Sequence, residues 1–523
     1  MASPLKRRWK LCVGVGAVFA ILAVAAAPFA ASATSAASAA TPTPTPAPST
    51  LSATPLGVNV APWDYAYYES GSVKVMQPLL KAGGIRQFRY GGGAAADAYD
   101  WQTNTTITGC LPYNATASFT SSCAASEPLN FNQFSLHVRA IGASSFVTVN
   151  YGSGTPAEAA AWVKQAKQTP AKAVALWEVG NENYGCWEVN NELAGSPEYF
   201  KNYVPGIHDS SGQNPTCPPV TQGIATGMQT MATSYAVNAL QFLTAMKAAN
   251  PAAQIGVPWA FGGDVGGASV AGSGEWNKTV LATDGKYVSF VDAHYYPFGF
   301  AGTVGGSNPT SRQVLQSLFQ VPSLYGEIRN ELHADGSAAS IVIGETGVSN
   351  HPTMTTCTPV GALFAAGDVL SWLAAGAKSV DWWDMNNYGN TGSKCVSSDQ
   401  GMFTSSAKPI ADTPYYGYLL ASVLAQPHAL LGALTTNHPA YVLAYQAVLP
   451  NGTTAVALIN TNTDYSERVH FSSRLSGTLQ TLTYSARNQN STNSKVVTGT
   501  AAAATVARGI TLPVESITIL KTR

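Results

Sequence analysis

Apolar and polar positions repeat one rhythm through the middle of the chain. A short apolar run ends in polar or aromatic residues, and a segment of helical periodicity follows. The runs fall at Leu56–Val60, Ile85–Tyr90, Ser145–Asn150, Ala173–Glu178, Gln254–Pro258, Val288–His294, Ser340–Glu345 and Ser379–Met385. Among the intervening segments, "TPAEAAAWVKQAK" is the clearest helix. Its Thr155 is placed as N-cap, Pro156 stands at the first helical position, and Glu158 completes a capping box. A second periodic segment runs from Thr226 to Ala249, ahead of "NPAAQIGV". Eight strands alternating with helices close a (β/α)8 barrel. An open doubly wound sheet has a similar rhythm, but no glycine-rich phosphate loop follows any of the runs.

The rhythm changes after "TPYYGYLLASVLA" (Thr413–Ala425). From about Leu431 to Arg523 the runs are short and separated by turns, with Asn451-Gly452 as a hairpin signal. The predicted class is therefore α/β: a (β/α)8 TIM barrel over residues 51–430 with a C-terminal all-β sandwich over 431–523.

The N-terminus reads differently. Lys6, Arg7, Arg8 and Lys10 precede an apolar stretch, Leu11–Ala30, and the small-residue exit Ala31-Ser32-Ala33. Residues 1–33 are expected to be a signal peptide, an uncleaved N-terminal anchor being the alternative. Residues 34–50, rich in Thr, Pro and Ala, carry nothing that builds a core and read as a linker. A secreted or extracellular protein is expected, with no membrane contact beyond the leader. About 470 residues remain, more than one ordinary core accommodates.

Charge narrows the partners. The chain has 28 basic and 28 acidic residues, so nothing favours nucleic acid or an anionic surface. Of seven cysteines, Cys12 lies in the leader. The even remainder, Cys110, Cys123, Cys186, Cys217, Cys357 and Cys395, reads as disulfides outside the cell. Sequence-local pairing is Cys110–Cys123, Cys186–Cys217 and Cys357–Cys395. Without a Cys-x-x-Cys spacing, zinc is a weak alternative.

In such barrels the reactive residues stand at the C-terminal ends of strands. Those ends offer Asn59 with Trp63 and Asp64, then "FRYGGG" (Phe88–Gly93), Asn150 with Tyr151, Asn181 with Glu182, His294 with Tyr296, Glu345, and Trp382 with Trp383. The fourth end lies in "LWEVGNENYGCWEVNNE", which packs Glu178, Glu182, Glu188 and Glu192 into a chain that is only 11% charged. Glu182 and Glu345 would face each other across the mouth. Two carboxylates there suit glycoside hydrolysis, one as acid then base, the other as nucleophile. The dipeptide Asn-Glu alone identifies nothing, since it recurs at Asn191-Glu192 and Asn330-Glu331. No Gly-x-Ser-x-Gly elbow, His-Glu-x-x-His pair or EF-hand loop is present, and nothing calls for a metal or cofactor. Insertions at Gly109–Glu127, Tyr199–Gln222 and Asn350–Thr358 are candidates to wall off a pocket.

These residues resemble clan A glycoside hydrolases, and most closely glycoside hydrolase family 51, the α-L-arabinofuranosidase type. "FRYGGGAAADAYDW", "VNYGSGTPAEAAAWV" and "WEVGNENYGCWE" carry the resemblance, which spans roughly Pro55 to Leu430. It implies that Glu182 is the acid/base and Glu345 the nucleophile. It further implies that Asn181 contacts the sugar 2-hydroxyl, that Tyr296 hydrogen-bonds the nucleophile, and that Arg89 lies near it. From the residues alone, Arg89 has Asp97 or Asp100 as alternative partners. His294, Asn150, Trp63 and Trp383 complete the substrate-binding set. Of Trp382 and Trp383 one faces the mouth and the other the core, and Tyr295 packs on the barrel wall. Glu178 reads as structural, and Glu188 and Glu192 as lying in the loop or helix beyond. The sequence departs from the family loop in two places: Gly91 stands where the family has Pro, and Ala94 where it has an arabinose-contacting Asn. The implied substrate is a poly- or oligosaccharide bearing terminal α-L-arabinofuranosyl residues. A β-glucuronidase, a β-xylosidase, an endo-glycanase and a non-catalytic carbohydrate-binding wall protein are the alternatives.

Overall fold

The computed structural model describes residues 47–64, 70–106, 125–169, 173–185, 188, 224–261, 273–298, 309–349, 356, 358–386, 400–405, 408–473, 475–486 and 494–523. The leader, all seven cysteines and most of the three insertions lie outside these ranges. Among the described residues, no helix is long and apolar enough to cross a membrane.

Eight parallel strands close a barrel: β1 (Leu56–Val60), β2 (Gln87–Tyr90), β3 (Ser144–Val149), β4 (Val174–Val179), β5 (Ile255–Trp259), β6 (Phe290–Tyr295), β7 (Ser340–Thr346) and β8 (Val380–Trp382). Each strand pairs with its neighbours in sequence, and β8 returns to β1. All eight apolar runs are therefore barrel strands, with ends shifted by up to three residues. The interior carries an apolar layer of Phe146, Leu176, Phe290 and Val342 from four strands. Phe146 and Phe290 meet edge to face at 5.5 Å. The Arg89 guanidinium lies over the Phe146 ring at 5.5 Å, so the apolar plug supports the polar layer.

The helix opened by Thr155 spans Pro156–Gln168. Thr155 accepts from the Glu158 amide at 3.1 Å, but the reciprocal half of the expected capping box is not formed. A complete box instead opens Phe131–Ile141, with Asn130 and Gln133. A helix at Pro359–Ala375 is buried around its whole circumference from Val360 to Ala374. Such a helix has no solvent face, and here it lies between the barrel and the C-terminal sheet.

That sheet explains the buried helix. It contains β9 (Leu430–Ala433), β10 (Val442–Val448), β11 (Thr454–Asn460), β13 (Thr478–Ser485), β14 (Val497–Ala502) and β16 (Ser516–Thr522). The intervening β12 (Glu467–Val469) and β15 (Ile510–Leu512) form a separate two-stranded sheet. Asn451-Gly452 makes the expected hairpin between β10 and β11, with Gly452 at φ +81°. All seven residues of β11 are buried. Ala455, Ala457 and Ile459 join the main core, while Val456 and Leu458 pack with Val469 and Leu512. Alternation thus places one face of the sheet on the barrel side and the other on the small sheet. Tyr445 on β10 exchanges a 2.6 Å hydrogen bond with Ser371 of the buried helix.

Ser49–Thr50 corrects the expected linker boundary. The two residues pair antiparallel with Leu431 and Leu430, as an edge strand of the C-terminal sheet. The Leu51 amide continues the contact to Ala429 O at 2.9 Å. The sheet is thereby seven-stranded and holds both ends of the barrel sequence.

Candidate active site

Arg89 organises the C-terminal mouth of the barrel. It stands on β2, fully buried. Nη2 donates to Glu178 Oε2 at 2.8 Å and to Asn181 Oδ1 at 2.9 Å. Nη1 donates to Glu345 Oε1 at 2.6 Å and to Asn59 Oδ1 at 3.1 Å. Nε faces Glu178 at 3.3 Å and Asp292 Oδ2 at 3.4 Å. Burial opposes its charge, but Glu178, Glu345 and Asp292 outweigh burial and hold the guanidinium firmly protonated. The partners are therefore not Asp97 or Asp100. With its side chain fully enclosed, Arg89 supports the carboxylates from beneath.

Glu345 is the penultimate residue of β7, with only 6% of its side chain exposed. Oε1 accepts from Arg89 and from the Gly93 amide at 3.2 Å. Oε2 accepts from Tyr296 Oη at 2.8 Å. Glu182 lies past β4 with 19% of its side chain exposed. Its backbone is in the left-handed region, φ +44°, which costs a non-glycine residue about 1–3 kcal/mol. The turn is held by the Gly185 amide on Glu182 O at 2.7 Å. Glu182 Oε1 accepts from Tyr184 Oη at 3.1 Å and faces His294 Nδ1 at 2.9 Å.

His294 joins the two carboxylates. Its Nδ1 is 2.9 Å from Glu182 Oε1 and 3.5 Å from Glu345 Oε2, and its Nε2 is 3.5 Å from Asp292. Burial pulls its pKa down, but Glu345, Asp292 and Glu182 together push it well above the ordinary value. One donor atom from each of Glu182, His294 and Glu345 lie within 4.8 Å of one another.

The glycine run Gly91–Gly93 shapes the approach to Glu345. Gly91 has φ +84°, a backbone conformation that proline cannot adopt. A Cβ at Gly92 would lie 2.8 Å from both Arg89 Nη1 and Asn59 Oδ1. Trp383 borders Gly92 and Gly93, is half-buried, and meets half-buried Trp63 edge on at 6.5 Å. Trp382 is fully buried, with its Nε1 donating to Gln400 O at 2.8 Å, and is the core member of the pair. Tyr295 likewise packs on the wall, against Phe261 and Trp372.

The structure brings Glu182, Glu345, Asn181, Arg89, His294 and Tyr296 into one connected network. It does not bring Asn150 there. The Asn150 side chain donates to Tyr99 O and Ser153 Oγ and accepts from the Ser153 and Gly154 amides. That is a side-chain-stabilised turn, the ordinary use of Asn in an Asn-Tyr-Gly-Ser-Gly loop.

Two carboxyls escaped the sequence reading. Asp97 is fully buried and accepts from the Tyr151 and Asn181 amides at 3.2 and 3.1 Å, and from Asn183 Nδ2 at 2.8 Å. Burial pushes its pKa up to about 7. Glu188, expected in the loop beyond the site, is buried and accepts from Asn181 Nδ2 at 3.1 Å. Burial, then Asp97, Glu182 and Glu345, raise it well above the carboxylate range. Glu178 does prove structural: it is buried beneath the site on Arg89, and burial raises it to about 8.

This fold is similar to that of known proteins. An α-L-arabinofuranosidase from Thermotoga maritima, solved with arabinose, superimposes with a TM-score of 0.64 at 14% identity, covering 90% of this chain and 97% of that one. A 4-O-α-L-rhamnosyl-β-D-glucuronidase from Fusarium oxysporum gives 0.58 at 15% identity over 91% and 99%. A family 39 β-xylosidase from Caulobacter crescentus gives 0.54 at 11% identity over 92% and 98%. The architecture resembles that of the family 51 α-L-arabinofuranosidases. No family model and no curated protein matches the chain.

Proposed function

We propose that this protein is a secreted, retaining glycoside hydrolase with Glu345 as nucleophile and Glu182 as acid/base. The observation that carries the reading is the spacing of the two carboxylates. One oxygen of each lies within 4.8 Å of the other, and His294 Nδ1 bridges them at 2.9 and 3.5 Å, which places the pair on the close side of the two geometries. Retaining chemistry uses carboxyl groups about 5–5.5 Å apart, whereas inversion needs about 6.5–9.5 Å to admit a water.

Each step then has a group to perform it. Glu345, fixed by Arg89, Tyr296 and the Gly93 amide, attacks the anomeric carbon and forms the glycosyl–enzyme ester. Glu182 delivers a proton to the departing oxygen. His294 Nδ1 lies 2.9 Å from Glu182 Oε1, within hydrogen-bond reach of the acid/base. Glu182 then removes a proton from the water that hydrolyses the ester. Asn181 presents an amide to the 2-hydroxyl, whose hydrogen bond strengthens in the oxocarbenium-like transition state. Trp63 and Trp383 form an aromatic surface at the mouth on which a sugar ring stacks.

The glycone proposed first is a neutral α-L-arabinofuranosyl residue on a plant-type or cell-wall polysaccharide. Among the described residues, the cations paired with the two carboxylates are Arg89 and His294, and both are engaged. A uronic acid would bring another negative charge to a site already rich in carboxyls, which disfavours a glucuronide. The test is a screen of aryl glycosides: α-L-arabinofuranoside, β-D-xyloside, β-D-glucuronide, β-D-glucoside and β-D-galactoside. Glu345→Gly runs beside it, with and without azide. Release from one sugar, lost in the variant and restored by azide as a glycosyl azide, supports the assignment. Silence on every glycoside and on polysaccharides would replace it with a carbohydrate-binding role.

A further inference from the structure

We infer that Glu188 is a positioning residue for catalysis: it holds Asn181 so that one amide N–H remains for the substrate's 2-hydroxyl. The inference rests on the glycosidase reading above. Its basis is how the hydrogen-bonding capacity of Asn181 is divided. A side-chain amide has two N–H donors and an oxygen with two lone pairs. Asn181 Oδ1 accepts from Arg89 Nη2 at 2.9 Å, and Nδ2 donates one hydrogen to Glu188 Oε1 at 3.1 Å. The backbone amide is held by Asp97 at 3.1 Å. Arg89 fixes which end of the amide is oxygen, because a flipped amide would set donor against donor. Glu188 fixes the rotation about the remaining axis, which decides where the second N–H points.

The cost of Glu188 argues against a packing role. The residue is 6% exposed, and its Oε2 is buried without a hydrogen-bond partner. An apolar side chain would fill such a place without leaving a polar atom unsatisfied. A carboxyl there is retained for what its other oxygen does, and that oxygen holds Asn181. Burial, and then the surrounding Asp97, Glu182 and Glu345, favour the neutral acid, which leaves Oε1 as an acceptor without adding another full charge beside the reacting carboxylates. The chain geometry cooperates. The Gly185 amide bonds Glu182 O at 2.7 Å and the Glu188 amide bonds Gly185 O at 3.3 Å, which ties the Glu188 backbone to the turn that follows Asn181.

The experiment compares wild type with Glu188→Ala, Glu188→Met and Glu188→Gln on the best aryl glycoside and its 2-deoxy analogue. Glu188→Ala and Glu188→Met are expected to lower kcat about tenfold on the 2-hydroxy substrate with KM little changed. On the 2-deoxy substrate, which has no hydroxyl for Asn181, the same variants should match wild type. Glu188→Gln keeps an acceptor for Asn181 and should recover most of the loss. Met preserves the volume, so it carries the comparison if Ala fails to fold. Equal losses on both substrates would reduce Glu188 to a structural residue, and no loss on either would remove it from the site. A wild-type enzyme inactive on every glycoside overturns the glycosidase reading and this inference with it. Activity without the substrate-dependent difference overturns the inference alone.

Discussion

Replacing Arg89 with methionine tests the charge layer under the site. Methionine fills much of the same volume, so the loss is mainly electrostatic. Arg89 is in ion-pair contact with three carboxylates: Glu178 at 2.8 Å, Glu345 at 2.6 Å and Asp292 at 3.4 Å, all essentially buried. Removing one partner of a buried pair costs about 3–5 kcal/mol, because the remaining charge is left uncompensated. The carboxyls can escape by binding protons, and this sets a pH signature. Glu178 is raised by burial to about 8 even though Arg89 pulls it down, so without Arg89 it rises further. A carboxyl whose folded pKa exceeds its unfolded value of about 4.3 binds more protons when folded. Stability then falls as pH climbs from the unfolded value to the folded one. Through Glu178, wild type loses stability up to a pH of about 8, and the variant keeps losing beyond it. Equilibrium urea unfolding, followed by tryptophan fluorescence at about pH 6 and about pH 9, should show a gap that widens with pH. Arg89→Lys restores charge but not the five-donor fork, so it should recover stability in part and activity little. A gap below about 1 kcal/mol at both pH values, the size of an exposed pair, would refute the reasoning. So would a gap that narrows as pH rises.

Three further outcomes follow from the same geometry. The first sugar released should keep its anomeric configuration by proton NMR, given carboxylate oxygens within 4.8 Å; an inverted product would contradict the proposed roles. Gly92→Ala places a Cβ 2.8 Å from Arg89 Nη1 and Asn59 Oδ1, and a displacement of that loop should lower kcat/KM by about 100-fold while circular dichroism stays unchanged. Asp97→Asn turns an amide nitrogen either toward the Tyr151 amide or toward the Asn181 and Asn183 donors, at about 1–3 kcal/mol. Its melting temperature should fall, and an unshifted melt would mean that Asp97 does not hold the loop.

The barrel was legible because its strands are buried on both faces and read as continuous apolar runs between helical segments. Their C-terminal ends then pointed to Glu182, Glu345, His294 and Tyr296 without any knowledge of contacts. Ser49–Thr50 was not legible, since a two-residue edge strand after a Thr-Pro tract has no periodicity to read. Asn150 was misplaced for a local reason: a strand-end Asn before Tyr-Gly-Ser-Gly serves a turn as readily as a substrate. Trp382 and Trp383 show the limit of alternation, which says that one faces inward but not which. The three-residue β8 stops at Trp382, and the next residue leaves the ladder toward Gly92 and Gly93. Glu188 carried no signal because its burial depends on how the loop after Glu182 folds back.

Of the four glutamates that follow Trp177 in sequence, Glu192 lies outside the described residues, and Glu178, Glu182 and Glu188 are separated by charge accounting. Alternation along β4 turns Trp177 to the outer core, against Trp162, and Glu178 to the barrel interior. There Glu178 needs a cation, and Arg89 supplies it. Beyond the strand, the described residues gather Asp97, Glu182, Glu188, Asp292 and Glu345 around the mouth, with Arg89 and His294 as the paired cations. Six carboxyls, Glu178 included, exceed two cations by four, and a buried site does not sustain that imbalance. Protons make up part of the difference. Burial raises Asp97 to about 7 and Glu178 to about 8, and raises Glu188 well beyond the carboxylate range. Protons on Asp97, Glu178 and Glu188 thus offset part of the excess, and the two cations face the remaining carboxylates: Arg89 meets Glu345 and Asp292, and His294 meets Glu182. The glutamates of one short stretch therefore differ in role by what faces them: Glu178 and Glu188 are enclosed and hold Arg89 and Asn181, whereas Glu182 keeps 19% of its side chain exposed.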